Sequence, residues 1–337
     1  MEETLIKISP SSAKKFRRCK RQYYYSMVEG LETRLPSLPL RRGTWMHECL
    51  QYHYMGRDWR IAHKALTKKF NTLLLEEREF YGDLPSEVER MIKAYLYHWK
   101  DDDKDWEILH VEETFIVEHP NGHEFSFKPD LIVYDKVLKQ TIVWDHKTTK
   151  SVPSAEFRMQ DLQSGLYPWG LRIAGLEVDT FGYNYIKTKP PTIPTINQDG
   201  SISKRRMDTD YYTLATFLKE YYSEDWPNIP DRWKTQLRTL KGSNQYFKRT
   251  KIVKPKEIEN RLVEELDYTM QEMAAWYDFM EDNDEDPWTR TMIMSCDWDC
   301  DYHELCMVEL MGGDGKFMRR TKYQPSTYLE GRKLGRQ

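Results

Sequence analysis

The stretch "FKPDLIVYDKVLKQTIVWDHKTTK", residues 127–150, constrains this chain more than any other. Leu131–Val133 and Ile142–Trp144 are apolar and rich in β-branched residues, with a polar turn between them. They read as two adjacent antiparallel strands of a buried sheet. Asp130 and Asp145 sit at the apolar ends of these runs, and Lys147 follows two residues later. A buried ionised carboxylate is costly unless it meets a cation or a metal. Antiparallel pairing would bring both aspartates together as hard oxygen donors suited to Mg²⁺ or Mn²⁺. Side chains two apart on a strand share a face, so Lys147 joins Asp145 and the ring of His146 faces away. The plainer alternative is an exposed Asp145–Lys147 pair with no ion.

The flanking sequence predicts the layers around that sheet. Ser11 or Ser12 is placed to cap a helix in which Ala13, Phe16, Cys19, Tyr23 and Met27 recur at helical spacing, which puts Cys19 on the inward stripe. "RRGTWMHECLQYHY" resumes that spacing, and further helices are expected over about 58–78 and 85–102. The period then changes to β-like in "ILHVEETFIVEH", "EFSFKPDLIVYD" and "QTIVWDHK". A helix over about 155–172 and a strand over about 178–187 follow. This order implies an α/β core with helices packed on a central sheet. Residues 188–206 read as a loop, 207–285 as mostly helical with a strand near 246–252, and the last thirty residues as an irregular tail.

Composition excludes several classes. Hydrophobic residues make up 39% of the 337 and charged residues 31%, and no apolar run approaches the length of a membrane helix. The N-terminus lacks a signal-peptide pattern, so a cytoplasmic location without membrane contact is the default expectation. Net charge is −3, so a nucleic-acid site would have to come from local basic patches. These occur at Lys14–Arg21, Lys204–Arg206, Lys248–Lys251 and Arg319–Lys322, against an acidic run at 278–286. Most such runs are solvated faces. No phosphate-binding loop of the form Gly, four residues, Gly-Lys-Ser/Thr is present, so no ATP-driven motor is expected.

Pro129-Asp130, followed by Asp145-His146-Lys147, resembles the signature of the PD-(D/E)XK nucleases. Three flanking features resemble the RecB-like branch of that superfamily. Gly43 and His47 in "RRGTWMHECLQ" match a Gly, three residues, His motif. Glu112 stands for the acidic residue of the first core strand, and Gln163 and Tyr167 match a Gln, three residues, Tyr motif. Spaced by four, those two side chains share one helix face. The branch often has Gly where this chain has Phe127. The resemblance implies a restriction-endonuclease-like mixed sheet flanked by helices. It implies Mg²⁺ or Mn²⁺ held by His47, Asp130 and Asp145, with Glu112 in or near the ligand set and the His146 carbonyl completing it. Lys147 would orient the attacking water, and Gln163 and Tyr167 would align the strand. Taken singly, His47 reads as a packed histidine, and Gln163 and Tyr167 as ordinary helix residues.

Five cysteines, an odd number, argue against a disulfide framework. Cys296, Cys300 and Cys306 are separated by three and five residues, and no fourth thiol lies nearby. With the distant Cys19 they resemble the pattern of iron–sulfur members of the RecB-like branch, among them AddB-type and CRISPR-associated exonucleases. There the first two C-terminal cysteines are usually two residues apart. The resemblance implies a [4Fe–4S] clasp between the helical N-terminal and C-terminal additions. Zinc, with His303 as a substitute ligand, and unliganded core cysteines are the alternatives. Cys49 is expected to be buried. The division expected is a helical region 1–105, a nuclease core 106–190, a helical region 191–290 and a cysteine-bearing tail 291–337. The substrate implied is DNA, chiefly single-stranded, with exonuclease action in recombination, repair or end processing and a helicase as a possible partner; "KRQYYY" (20–25) and "QYFKRTK" (245–251) read equally as stretches that meet the strand and as core aromatics beside solvated lysines. A non-catalytic DNA-binding module and a structure-specific endonuclease are the competing readings.

Overall fold

The structure, a computed structural model, describes residues 5–326 apart from 204, 206, 227, 243–244 and 284–287, and only the backbone of 242 and 281–283. Lys204 and Arg206 of one basic patch and residues 284–286 of the acidic run thus lie outside the described residues. No helix among the described residues is long and apolar enough to cross a membrane.

The chain opens with strand β1 (Lys7–Ile8) and helices α1 (Pro10–Arg18) and α2 (Lys20–Tyr23), the latter running on in a wider helical turn to Val28. Strand β2 (Leu31–Thr33) leads to α3 (Leu38–Tyr54), α4 (Trp59–Asn71), α5 (Leu75–Tyr81) and α6 (Leu84–Trp99). Five strands follow: β3 (Trp106–Val111), β4 (Phe115–Glu118), β5 (Glu124–Phe127), β6 (Leu131–Asp135) and β7 (Gln140–Thr149). Helices α7 (Ala155–Gln160) and α8 (Leu162–Ile173) precede β8 (Thr180–Lys187). Helices α9 (Tyr211–Tyr222) and α10 (Asp231–Gly242), strand β9 (Phe247–Ile252) and helix α11 (Lys256–Asn283) come next. The C-terminal segment adds α12 (Cys296–Asp299), α13 (His303–Leu310), α14 (Gly315–Lys322) and β10 (Tyr323–Pro325).

A five-stranded mixed sheet, in the order β3-β6-β7-β8-β9, sits at the centre. Strands β6 and β7 pair antiparallel, with Leu131 opposite Trp144, and β7 and β8 pair parallel. Alternation along the strands sorts side chains onto two faces. Ile132, Val143, Phe181 and Tyr183 pack with α1, α8 and α11 residues such as Phe16, Leu166 and Leu266. Leu131, Val133, Ile142 and Trp144 pack with α3 and α6 residues such as Met46, Leu50 and Ile92. This is the expected α/β architecture. The sequence 124–135, read as one β-like run, is split: β5 pairs with β1 and β4 in a second sheet, and β6 joins the central one. Lys128 and Pro129 make the crossover, where Pro129 has no N–H to contribute to a ladder.

Several boundaries differ from expectation for local reasons. The first helix is capped by Ser9, whose hydroxyl accepts from the Ser12 N–H, with Pro10 at the first helical position. It ends at Cys19, which is extended (φ −162°, ψ 116°), so Cys19 occupies a break between α1 and α2 instead of a helical stripe. The helix expected over 155–172 is interrupted at Asp161, also extended, whose carboxylate caps α8 by accepting from Gln163 N–H. The one expected over 58–78 becomes α4 and α5. Of the tail, the described residues up to 326 include α14 and β10, with Asp314 capping α14 and β10 pairing antiparallel with β2, and residues 327–337 lie outside the described residues.

Candidate active site

Helix α3 approaches β7 closely because residue 43 has no side chain. A Cβ there would lie 2.7 Å from Thr148 Oγ1. One turn later the same helix face presents His47 toward the sheet. At the crossover into β6, Asp130 Oδ2 accepts the backbone N–H of His146 (2.6 Å) and lies 3.6 Å from His47 Nδ1. Glu112, one residue past β3, takes a left-handed backbone (φ 51°) and donates its N–H to the Asp130 carbonyl. Such a conformation is unfavourable for a non-glycine residue. It brings the Glu112 carboxylate to Lys128 Nζ (2.5 Å). Ligand atoms of His47, Glu112 and Asp130 all fall within 4.8 Å of one another.

This donor set, one imidazole and two carboxylates, fits a hard divalent cation. Its electrostatics point the same way. Burial pushes the Glu112 carboxyl up, and Asp130 adds to the shift. Burial opposes ionisation of Asp130 as well, yet His47, His146 and Lys147 hold its pKa well below the usual carboxylate range. A cation would relieve the repulsion between the two acids.

Beside this trio, Lys147 Nζ lies 2.7 Å from Asp145 Oδ2 and donates to Gln163 Oε1 (2.9 Å). Gln163 Nε2 donates to Asp145 Oδ1 and to the Tyr167 hydroxyl, both at 3.1 Å. Gln163 therefore bridges the lysine, the aspartate and the tyrosine. Burial raises the Asp145 pKa to about 6, with Lys147 opposing and Asp130 adding to the rise. Burial disfavours the Lys147 ammonium, but Asp145 and Asp130 outweigh it and raise its pKa. All eight residues expected at the site line one large open pocket beside α3, β7 and α8. Their grouping differs from expectation in one respect. Glu112 stands with His47 and Asp130, whereas Asp145 is taken up by Lys147 and Gln163. The turn at Glu112 is what swings its carboxylate inward.

The departure at Phe127 also finds its cause. Its ring packs on Tyr167 (5.4 Å between centroids), and a Cβ at Gly170 would come within 2.5 Å of it. The glycine that lets this ring in lies on α8, not on the strand.

The His146 ring, on the far face of β7, accepts from Asn184 Nδ2 (2.8 Å) and stacks on Tyr54. Burial pushes its pKa down to about 3, so it is neutral. Asn184 also donates to Tyr95 (2.6 Å), whose hydroxyl bonds that of Tyr54 (2.8 Å). Arg249 donates to both tyrosines and to Asp103, and lies over the rings of Trp99 and Trp106. This support is invisible in sequence, because Asp103 and Arg249 are 146 residues apart. Lys128 was missed too, although its place two residues before Asp130 was a signal. In the segment 245–251, Gln245, Lys248 and Lys251 are exposed and the remaining side chains turn inward. Arg249 is enclosed in that network, Phe247 is buried, and the Tyr246 hydroxyl donates to Asp208. In 20–25, Tyr23 and Tyr25 are buried and Arg21 pairs with Glu309.

Past the C-terminus of α1, Cys19, Cys296, Cys300 and Cys306 line one cavity with Arg18, Arg290 and His303. The break after α1 turns Cys19 toward the C-terminal segment, where its Sγ accepts the Thr291 N–H. Cys49 is fully buried, as expected.

The model of the PD-(D/E)XK nuclease superfamily matches residues 7–307. No curated protein matches the chain. Among solved structures, one titled "Crystal structure of SSO0001" is 14% identical with a TM-score of 0.25, covering 66% of this chain and 78% of that one. That likeness is too weak to bear on the fold. The family match spans most of the chain, and the protein belongs to the PD-(D/E)XK nuclease superfamily, whose members are hydrolases of DNA that use divalent metal ions.

Proposed function

We propose that this PD-(D/E)XK protein is a Mg²⁺- or Mn²⁺-dependent exonuclease acting on single-stranded DNA in recombination, repair or end processing. The observation that carries the reading is the convergence of His47, Glu112 and Asp130 within 4.8 Å, in a pocket shared with Lys147, Asp145 and Gln163. Those three would hold the cation, with Asp145 facing it across β6 and β7. When bound, the cation supplies positive charge to the scissile phosphate and acidifies water.

The chain's own groups do the rest. Lys147 is 37% exposed although Asp145 beside it is buried, so its ammonium can reach a water or a phosphate oxygen in the pocket. Gln163 fixes it from the other side, and Tyr167 fixes Gln163. The Asp145 carboxylate keeps the lysine charged, which favours orientation and charge stabilisation over proton abstraction by Lys147. The buried Arg249–Tyr95–Asn184 network holds His146, whose backbone N–H holds Asp130. Hydrolysis with departure of the 3′ oxygen would leave 5′ phosphates.

Cys19, Cys296, Cys300 and Cys306 are taken as ligands of a [4Fe–4S] cluster. Support comes from their sharing one cavity.

The test is cleavage of end-labelled single-stranded oligonucleotides in Mg²⁺ or Mn²⁺, with circular single-stranded DNA alongside. The linear strands are expected to shorten from an end while the circle survives, and Asp130→Ala and Lys147→Ala to abolish cleavage. A cut circle would turn the reading to an endonuclease. Cleavage untouched by Asp130→Ala would refute the site. Iron with visible absorption in anaerobically purified protein is expected for the cluster, and a colourless zinc protein would refute it.

A further inference from the structure

A second, smaller cavity opens beyond Lys147, away from the His47–Glu112–Asp130 trio. Lys147, Thr148, Phe157, Arg158, Tyr183 and Tyr185 line it. Lys147 and Thr148 line the active-site pocket as well, so the two spaces adjoin at the lysine. Two side chains of the short helix α7 set its character. Phe157, close to Lys147, leaves 59% of its surface in water. Arg158 is hydrogen-bonded to Tyr185 and, among the described residues, has no ion pair. The carboxylate on this wall, Asp161, is engaged: it caps α8 and pairs with Lys14 at 3.1 Å.

In the lining of the active-site pocket itself the same combination recurs. Exposed Arg57 sits over the half-buried ring of Tyr52, 6.0 Å from its centroid. An aromatic ring and a cation thus stand in each of the two spaces that adjoin at the lysine.

We infer that the Phe157–Arg158 cavity is a nucleotide subsite. The base next to the scissile phosphate stacks on Phe157, and the adjoining phosphate meets Arg158. A single strand then runs from Tyr52 and Arg57, past Lys147, to Phe157. This rests on the nuclease reading and adds the strand's path to it. The chemistry selects an unpaired strand, because each nucleotide offers one π-face and one negative charge, whereas a duplex keeps its base faces stacked on each other. It also supplies the stacking surface that the buried aromatics of 20–25 and 245–251 cannot.

The experiment measures binding of fluorescein-labelled oligo(dT) by anisotropy in EDTA, so that no metal or cleavage enters the readout. Phe157→Ala is expected to raise Kd about 5- to 160-fold, the range for losing one base–aromatic stack. Arg158→Gln is expected to weaken binding and flatten its salt dependence, and Arg158→Lys to restore it in part. Tyr268→Ala, which removes an equally exposed ring on α11, serves as control and is expected to bind as the wild type does. Wild-type affinity in Phe157→Ala and Arg158→Gln would overturn the subsite. So would equal weakening in all three variants. Cleavage by the wild-type protein is scored separately. If it cleaves while the α7 variants bind normally, only the subsite falls. If it cleaves nothing while those variants bind weakly, the nuclease reading falls and the strand path stands.

Discussion

Replacing Asp103 by Ala should destabilise the protein by about 3 kcal/mol, at the lower end of the ~3–5 kcal/mol typical when one partner of a buried ion pair is removed. Asp103 and Arg249 leave only 15% and 9% of their side chains exposed, and the carboxylate accepts two bonds from the guanidinium and one from Tyr54. Without it the guanidinium stays charged and loses its only counter-ion in this network. What remains softens the loss. The rings of Trp99 and Trp106 stay 4.0 and 4.3 Å from the guanidinium carbon, and Tyr54 and Tyr95 still accept from it. Cation–π contacts of that kind contribute up to about 2 kcal/mol when desolvated.

At ~2 °C per kcal/mol, the lower figure for large domains, thermal denaturation should show Tm falling by about 6 °C. The companion variant Asp103→Leu with Arg249→Met removes both charges and should recover to within about 1 kcal/mol of wild type. A single variant within about 1 kcal/mol of wild type, or a double variant no better than the single, would refute the claim that the uncompensated charge causes the loss.

Other outcomes follow from the same geometry. Mn²⁺ at about 100 times its Kd should stabilise the wild type by about 2.7 kcal/mol, and His47→Ala or Asp130→Ala should lose that thermal shift. Gly43→Ala should push α3 off Thr148 at a cost of about 1–3 kcal/mol and weaken Mn²⁺ binding, with Thr148→Ala restoring both. The Cys49 thiol, pushed up to about 12 by burial, should resist alkylation at pH 8 until the protein is denatured, as peptide mass mapping would show. Cys300→Ser should leave the Tm of the central sheet nearly unchanged and raise protease sensitivity within 289–326, which limited proteolysis reads.

The parts of the site written in local sequence were legible, and the parts made by distant partners were not. Two aspartates at the ends of adjacent apolar runs, a lysine two residues on, and a Gln–Tyr pair four apart on a helix all follow from the periods of strand and helix. The β6–β7 register, with Leu131 opposite Trp144, places Asp130 across from Asp145 as that pattern requires. Glu112 was legible as an acid but not as a turn, since a positive φ at a non-glycine residue leaves no mark in composition. The charge patches misled for a related reason. Arg21 and Arg249 look like surface cations until their partners Glu309 and Asp103 arrive from 288 and 146 residues away. Clusters of Lys and Arg report where charge is, and only the fold decides which of them water sees.

The same distinction revises what a clasp at the cysteines can contribute. Cys19 and Cys296 are 277 positions apart, and closing such a loop in an unfolded chain costs roughly 5 kcal/mol. In the folded protein most of that closure is made by other contacts. Phe16 and Tyr23 pack on Trp288, the Tyr23 and Tyr277 hydroxyls share a bond at 3.0 Å, and Arg21 N–H donates to the Thr289 carbonyl at 2.9 Å. With residue 289 already beside residue 21, a link from Cys19 to Cys296 closes only a few residues, worth roughly 2 kcal/mol. Beyond the cysteines, β2–β10 pairing, the cluster of Tyr25, Tyr302, Leu305 and Tyr323, and the Glu309 bonds to Arg21 and Arg319 hold the segment independently. A cluster bound by the four thiols, as proposed, would therefore order the short stretch around 289–306 more than it would hold the two ends of the chain together. Its loss should loosen that stretch and spare the sheet that carries the active site.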